Sequence, residues 1–292
     1  MRILAKLCAL AAFIAVPAGA QECDPSFVDS STTVQVAGVN VGDGEVSIEN
    51  FNVRVRNDGN GQCSATMRVA RLGGSGTATP LQYALRSGPN RIDILPNEGL
   101  PGTTESDFLV GGIPGGRNGR AVPFVLTVPT GWGLEAGFYS EQFLLTLLGP
   151  GGEPLDTMIV TFEIAIPPSV SMRIVGATGN DPISSINLGE ISNDQPTVSD
   201  PFGIRVWSTS PYLVSFRSEN GGALAHERTI DRIPYELRMD NVVVDLVGGT
   251  EILVPDIALP LGTVHRLRVE VGPAAARAGN YVDRVTVTVT AV

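Results

Sequence analysis

The sequence predicts an all-β protein of two related sandwich domains, and three observations carry that reading. Apolar and polar residues alternate with a period of two from Thr32 onward, no window of a dozen residues holds a helical stripe, and 34 Gly and 21 Pro punctuate the 292 residues. That pattern belongs to many short strands joined by tight turns. Length supports two domains of ordinary size.

The first twenty residues stand apart from this pattern. Arg2 and Lys6 precede the apolar stretch Leu7–Val16, and Ala18-Gly19-Ala20 supplies small residues for cleavage. This is the form of a secretory signal, too short to span a bilayer. Cleavage after Ala20 removes Cys8 and Lys6, leaving Cys23 and Cys63, and 18 arginines against 30 acids, a net charge of −12. In an oxidising compartment two cysteines read as one disulfide, closing a loop of about 40 residues and contributing about 4 kcal/mol.

The first domain, residues 21–166, opens its strand pattern at Phe51-Asn52-Val53-Arg54-Val55-Arg56. Asn57-Asp58-Gly59-Asn60-Gly61 breaks it as a turn, and Ala65-Thr66-Met67-Arg68-Val69 resumes it. Two later segments place large apolar residues among glycines and prolines: Phe108-Leu109-Val110 before Gly111-Gly112-Ile113-Pro114-Gly115-Gly116, and Trp132 in Thr130-Gly131-Trp132-Gly133-Leu134. Read as exposed loops, Phe108, Leu109, Val110 and Trp132 are the candidate contact surface; read as structure, Phe108 and Val110 are strand residues and Trp132 is a core plug. The domain closes on Met158, Val160, Phe162, Ile164 and Ile166, one apolar face of a last strand.

The second domain, residues 169–292, follows the stiff joint Pro167-Pro168 and echoes the first. Ala136-Gly137-Phe138-Tyr139-Ser140-Glu141-Gln142-Phe143 aligns with Ala278-Gly279-Asn280-Tyr281-Val282-Asp283-Arg284-Val285, and Phe51–Val55 with Phe202–Val206. Two matches in the same order indicate duplication. The second copy stops at Val292, just past its echo strand, without a counterpart of the Met158–Ile166 strand. An uncovered groove for four or five apolar side chains represents roughly 6–15 kcal/mol of missing burial, and it leaves strand edges open to pairing. Val285, Val287 and Val289 line one face of that closing strand.

Composition narrows the chemistry. A chain this acidic offers no cationic surface of the kind nucleic acids require. Two histidines cannot build a zinc cage of the usual kind, and without lysine beyond residue 20 there is no Schiff base or Walker-type clamp. Gly73-Gly74-Ser75-Gly76-Thr77 lacks the last Gly of a nucleophile elbow; it reads as a flexible loop. His226-Glu227 has no second His at zincin spacing and reads as a solvated loop. No catalytic, metal or cofactor residue is expected, and the chain is read as a non-enzyme.

The second domain resembles the spore coat protein U domain of archaic chaperone–usher pili. The similar stretches are Ile186-Asn187-Leu188-Gly189-Glu190-Ile191, Ser208-Thr209-Ser210-Pro211-Tyr212, Ser218-Glu219-Asn220-Gly221-Gly222, Ile233-Pro234-Tyr235-Glu236-Leu237 and, most closely, Ala278–Thr290. The resemblance implies two immunoglobulin-like sandwiches, the second a pilin-type sandwich lacking its last strand. It implies a periplasmic chaperone, an outer-membrane usher and a neighbouring subunit that donates a β-strand, giving a hetero-polymer. Val285, Val287, Val289 and the carboxylate of Val292 are the edge that chaperone and donor strand would hold. With only Gln21-Glu22 before Cys23, the chain can accept a strand but not give one. That implies the two-domain adhesin at a pilus tip, passing through the periplasm to the cell surface. A coat or matrix protein polymerising by the same exchange, without a target, is the alternative.

Overall fold

The computed structural model describes residues 23–36, 39–42, 46–75, 83–92, 105–180 and 182–292. The expected signal segment lies outside them. No helix occurs among the described residues, as the period-two pattern predicts.

Domain one comprises β1 (Pro25–Phe27), β2 (Ser31–Val36), β3 (Val46–Asn57), β4 (Cys63–Ser75), β5 (Ala84–Ser87), β6 (Asn90–Ile92), β7 (Glu105–Ile113), β8 (Gly116–Pro129), β9 (Gly137–Leu148) and β10 (Pro154–Ile166). They form two facing sheets in the orders β1-β3-β8-β5-β6 and β2-β10-β9-β4-β7. The chain changes sheet between β1 and β2, so that β2 runs parallel to β10, while β10 with β9 and β9 with β4 pair antiparallel. This is the immunoglobulin arrangement. Alternate residues of every long strand point inward, and the core is aromatic: Phe51 stacks on Phe124 at 5.1 Å, and Phe143 meets Phe162 at 4.9 Å. Met158, Val160, Phe162, Ile164 and Ile166 are all buried, as their alternation predicts.

Domain two comprises β11 (Val170–Val175), β12 (Thr178–Asn180), β13 (Ile183–Ser185), β14 (Thr197–Val198), β15 (Phe202–Ser208), β16 (Tyr212–Ser218), β17 (Ala223–His226), β18 (Arg232–Met239), β19 (Val242–Val243), β20 (Ile252–Val254), β21 (Thr263–Val271), β22 (Tyr281–Val282) and β23 (Val285–Ala291). One sheet runs β11-β15-β21-β18-β17-β22, with β14 and β19 attached; the facing sheet is only β20-β16-β23. The core between them is smaller, built on Ile204, Val206, Tyr212, Val214 and Phe216.

The sequence echo has a topological counterpart. Phe51–Val55 lies in β3, between β1 and β8, and its echo Phe202–Val206 lies in β15, between β11 and β21. The two segments occupy the same place in the two sandwiches.

Two smaller expectations are corrected. Gly73–Ser75 continue β4 rather than forming a loop, with a register shift after Arg71. His226 ends β17, its Nδ1 accepting from the backbone N–H groups of Arg228 (3.0 Å) and Thr229 (3.1 Å) and its ring edge-on to Tyr281. It organises a turn.

Candidate strand-accepting groove and distal loops

The A-G-x-Y echo places β9 and β23 by the same device. Tyr139 OH donates to the Glu135 carbonyl at 2.7 Å and Tyr281 OH to the Arg277 carbonyl at 3.0 Å. A tyrosine tied to backbone four residues upstream is the corner that starts this strand in immunoglobulin sandwiches. The acid two residues on is also used twice. Glu141, buried, takes both arms of Arg71 at 2.8 Å. Asp283 accepts from Ser218 Oγ (2.5 Å), Tyr235 OH (2.6 Å) and the Asn220 N–H (3.1 Å). Burial and then the Asp283 carboxylate push the Tyr235 phenol far above its ordinary pKa.

What differs is the outer edge. β9 pairs with β4 on one side and β10 on the other. β23 pairs only with β16, and among the described residues no strand lies along its second edge. Across the opening, β11 pairs among the described residues with β15 alone. Burial records the difference at matching positions. Phe143, Leu145 and Leu147 of β9 are 1%, 2% and 0% exposed. Their counterparts Val285, Val287 and Val289 are only half-buried against the core, as are Val170, Met172 and Ile174 of β11. These six side chains border a slot of the kind an added strand fills, with edge N–H and C=O groups offering the ladder. Val292 follows β23, its N–H bonded to the Pro211 carbonyl at 2.9 Å and its side chain 60% exposed.

The structure corrects the expected apolar loops. Phe108-Leu109-Val110 lies within β7, opposite Thr66 and its neighbours on β4. Strand alternation turns Phe108 and Val110 into the core, at 8% and 4% exposed, and leaves Leu109 alone outside at 68%. Trp132 is partly buried against the domain-one core, its ring so close to Gly42 that a Cβ there would overlap it. The next residue, Gly133, lies against Pro260 of domain two. Trp132 therefore plugs the end of domain one that meets domain two.

At the opposite pole three connections converge: residues 58–62, 114–115 and 149–153. The expected disulfide is present there, joining Cys23 to Cys63 with Cα atoms 5.6 Å apart. Asn57 bridges to Gly115, and a Cβ on Gly115 would come within 2.7 Å of the Gly61 backbone. Backbone thus packs on backbone, which explains the glycine density that in sequence reads only as turn signal. Pro114, Arg117 and Asn118 are the exposed side chains of this pole's β7–β8 hairpin. They carry no apolar or motif signal by which sequence could single them out.

No family model matches the chain, and no curated protein matches it. Among solved structures it is similar to the chaperone–tip adhesion subunit pre-assembly complex of the archaic Csu pili of Acinetobacter baumannii. That likeness has 15% identity and TM-score 0.41, over 92% of this chain and 99% of the other. The CFA/I adhesin CfaE of enterotoxigenic E. coli gives 12% identity and TM-score 0.39, over 94% of each chain. The CupB6 tip adhesin of Pseudomonas aeruginosa gives 12% and 0.33, over 92% of this chain and 96% of the other. Scores of this size carry no inference, and fold and function rest here on the chain's own strands.

Proposed function

We propose that the chain is the adhesive end subunit of a surface fibre assembled by the chaperone–usher route. Domain two accepts a strand from the next subunit, and domain one presents the surface that attaches. The observation that carries this reading is the second edge of β23, unpaired among the described residues, where β9 has β10 beside it. A sandwich missing one strand needs that strand from another chain, and the edges of β11 and β23 supply main-chain pairing while the half-buried valines supply pockets. Before assembly a periplasmic chaperone covers the same edge and the Val292 carboxylate; the outer-membrane usher then exchanges it for the neighbour's strand.

Domain one suits the end position because its own first strand is consumed at home. β1 pairs with β3, and Cys23 beside it is bound to Cys63. The segment is therefore not free to reach a neighbour's groove. Attachment falls to the loops at the pole away from domain two, and no catalysis is assigned to them. The test is to label domain one in assembled fibres and, separately, to replace Pro114, Arg117 and Asn118 by Ser. Label at one end of each fibre, with attachment reduced at least tenfold and fibres intact, is the expected result. Label along the whole shaft, or unchanged attachment with the label at the end, would turn the reading toward a coat protein without a target.

A further inference from the structure

The large sheet of domain two turns a charge-biased face outward, away from the groove. Six arginines stand on it: Arg173 on β11, Arg205 on β15, Arg266 and Arg268 on β21, and Arg238 and Arg232 on β18, the last donating to the Asn220 carbonyl at 3.2 Å. Register sets like against like, since Arg173 lies directly opposite Arg205 and Arg238 directly opposite Arg268. Like charges directly opposed across strands destabilise a sheet. The acids on this face are Glu236 and Glu270, also opposite one another, with Asp240 at the rim. Arg238 is answered by Glu236 at 2.7 Å and more distantly by Glu270 at 3.9 Å. Arg205 donates to the Leu261 carbonyl at 3.1 Å. Arg266 and Arg268 are exposed and, among the described residues, have no side-chain partner.

A cationic excess here is notable in a chain with 18 arginines against 30 acids beyond residue 20. The same bias recurs in domain one, where the corresponding sheet turns Arg54, Arg56 and Arg86 outward. Arg54 occupies the echo position of Arg205. One acid, Asp58, answers Arg56 at 3.2 Å.

We propose that the outer face of the β11-β15-β21-β18 sheet is a binding site for a linear acidic polysaccharide. Four strands about 4.8 Å apart form a platform about 15 Å wide, crossed by guanidinium groups that pair carboxylates bidentately. A carboxylated sugar chain lying across the strands relieves the arginine repulsion at successive points. Trp207 is the aromatic ring of this face, half-buried where a Cβ on Gly262 would meet it at 2.9 Å. One covered ring offers no series of stacking platforms for single-stranded nucleic acid, which favours the sugar polymer. This site is independent of the strand-accepting groove and of its assembly role.

The experiment titrates the full chain with alginate oligosaccharides, using neutral dextran and a short duplex DNA as comparison polymers. Alginate binding that weakens at least tenfold between about 50 and 200 mM salt is expected, because exposed charge contacts are screened. The Arg266→Ser/Arg268→Ser variant should bind about tenfold or more weaker, and the Arg266→Lys/Arg268→Lys variant should recover most of the loss. Melting temperature distinguishes a ligand site from a structural role: removing Arg268 from opposite Arg238 should leave it unchanged or raise it. The proposal is overturned by no alginate binding at low salt, by equal binding of dextran, or by wild-type affinity in the Ser variant. Binding of duplex DNA without alginate would also overturn it, by naming another class of partner.

Discussion

Asn57 shows how one side chain can hold a pole together. It is fully buried, and its Oδ1 accepts from the N–H groups of Asp24 (2.8 Å) and Gly59 (3.0 Å) while Nδ2 donates to the Gly61 carbonyl (3.0 Å). Asn57→Asp keeps the acceptor but sets a carboxylate oxygen against the Gly61 carbonyl. Losing such buried partners costs about 1–3 kcal/mol, so thermal unfolding of Asn57→Asp should move down by several degrees, and Asn57→Ala should lose at least as much. Asp245 gives a pH dependence of known sign. The N–H groups of Gly248 and Val247, then the Thr250 hydroxyl, hold its carboxyl below the usual carboxylate range. A depressed folded pKa means that its stabilisation is present above the ordinary value of about 3.9 and is lost as pH falls through the folded value. Melting temperature followed from pH 5 down to 2 should therefore fall less steeply in Asp245→Ala than in the parent chain. An unchanged acid limb would show that the turn forms without the charge.

At the scale of elements, β23 and β7 mark what the sequence does and does not reveal. The A-G-x-Y echo and the alternation of Val285, Val287 and Val289 are both visible in one dimension, because strand period is a local property. β7 stays undecided in the sequence, because its Phe108-Leu109-Val110 run sits beside four glycines and a proline that signal a loop; pairing with β4, 35–50 residues away in sequence, decides the matter. Tertiary pairing overrides local turn chemistry there. Trp132 is settled as a plug by the same kind of contact: Gly42 is remote in sequence, and only the fold brings it under the ring. The open edge also makes a prediction. Adding a turn and then a copy of Met158–Ile166 after Val292 presents an antiparallel strand to β23, as β10 is presented to β9. Four or five newly buried apolar side chains at about 1.5–3 kcal/mol each should raise the melting temperature of domain two by more than ten degrees. Slower hydrogen exchange along β23 should accompany it. A soluble graft with neither change would mean that the slot does not accept a strand of this pattern.

For the whole molecule, the mechanical question is how domain one stays aligned with the domain that anchors it. Pro167-Pro168 stiffens the crossing chain, but the contacts converge on Thr209, a fully buried residue in the β15–β16 connection. Its Oγ1 donates to the Pro167 carbonyl at 3.0 Å and accepts from the Ser169 N–H at 2.8 Å; its own N–H donates to the Ser169 carbonyl at 3.0 Å. Its carbonyl then accepts from the Ala136 N–H of domain one at 2.6 Å. Ala136 opens the A-G-x-Y motif, so the joint reaches directly to the tyrosine corner that starts β9. Thr209→Val preserves shape and the two backbone bonds but removes both side-chain bonds, leaving the Ser169 N–H and the Pro167 carbonyl short of a partner. Those groups regain water only if the joint opens, so each domain should keep its own unfolding transition while the link between them loosens. Limited proteolysis at residues 167–170 should accelerate about tenfold, and small-angle scattering should report a broader distribution of overall lengths. Digestion at the parental rate would place the restraint instead in the contact of Gly133 with Pro260, and Gly133→Ala, whose Cβ would come within 2.7 Å of the Pro260 ring, should then produce the loosening that Thr209→Val did not.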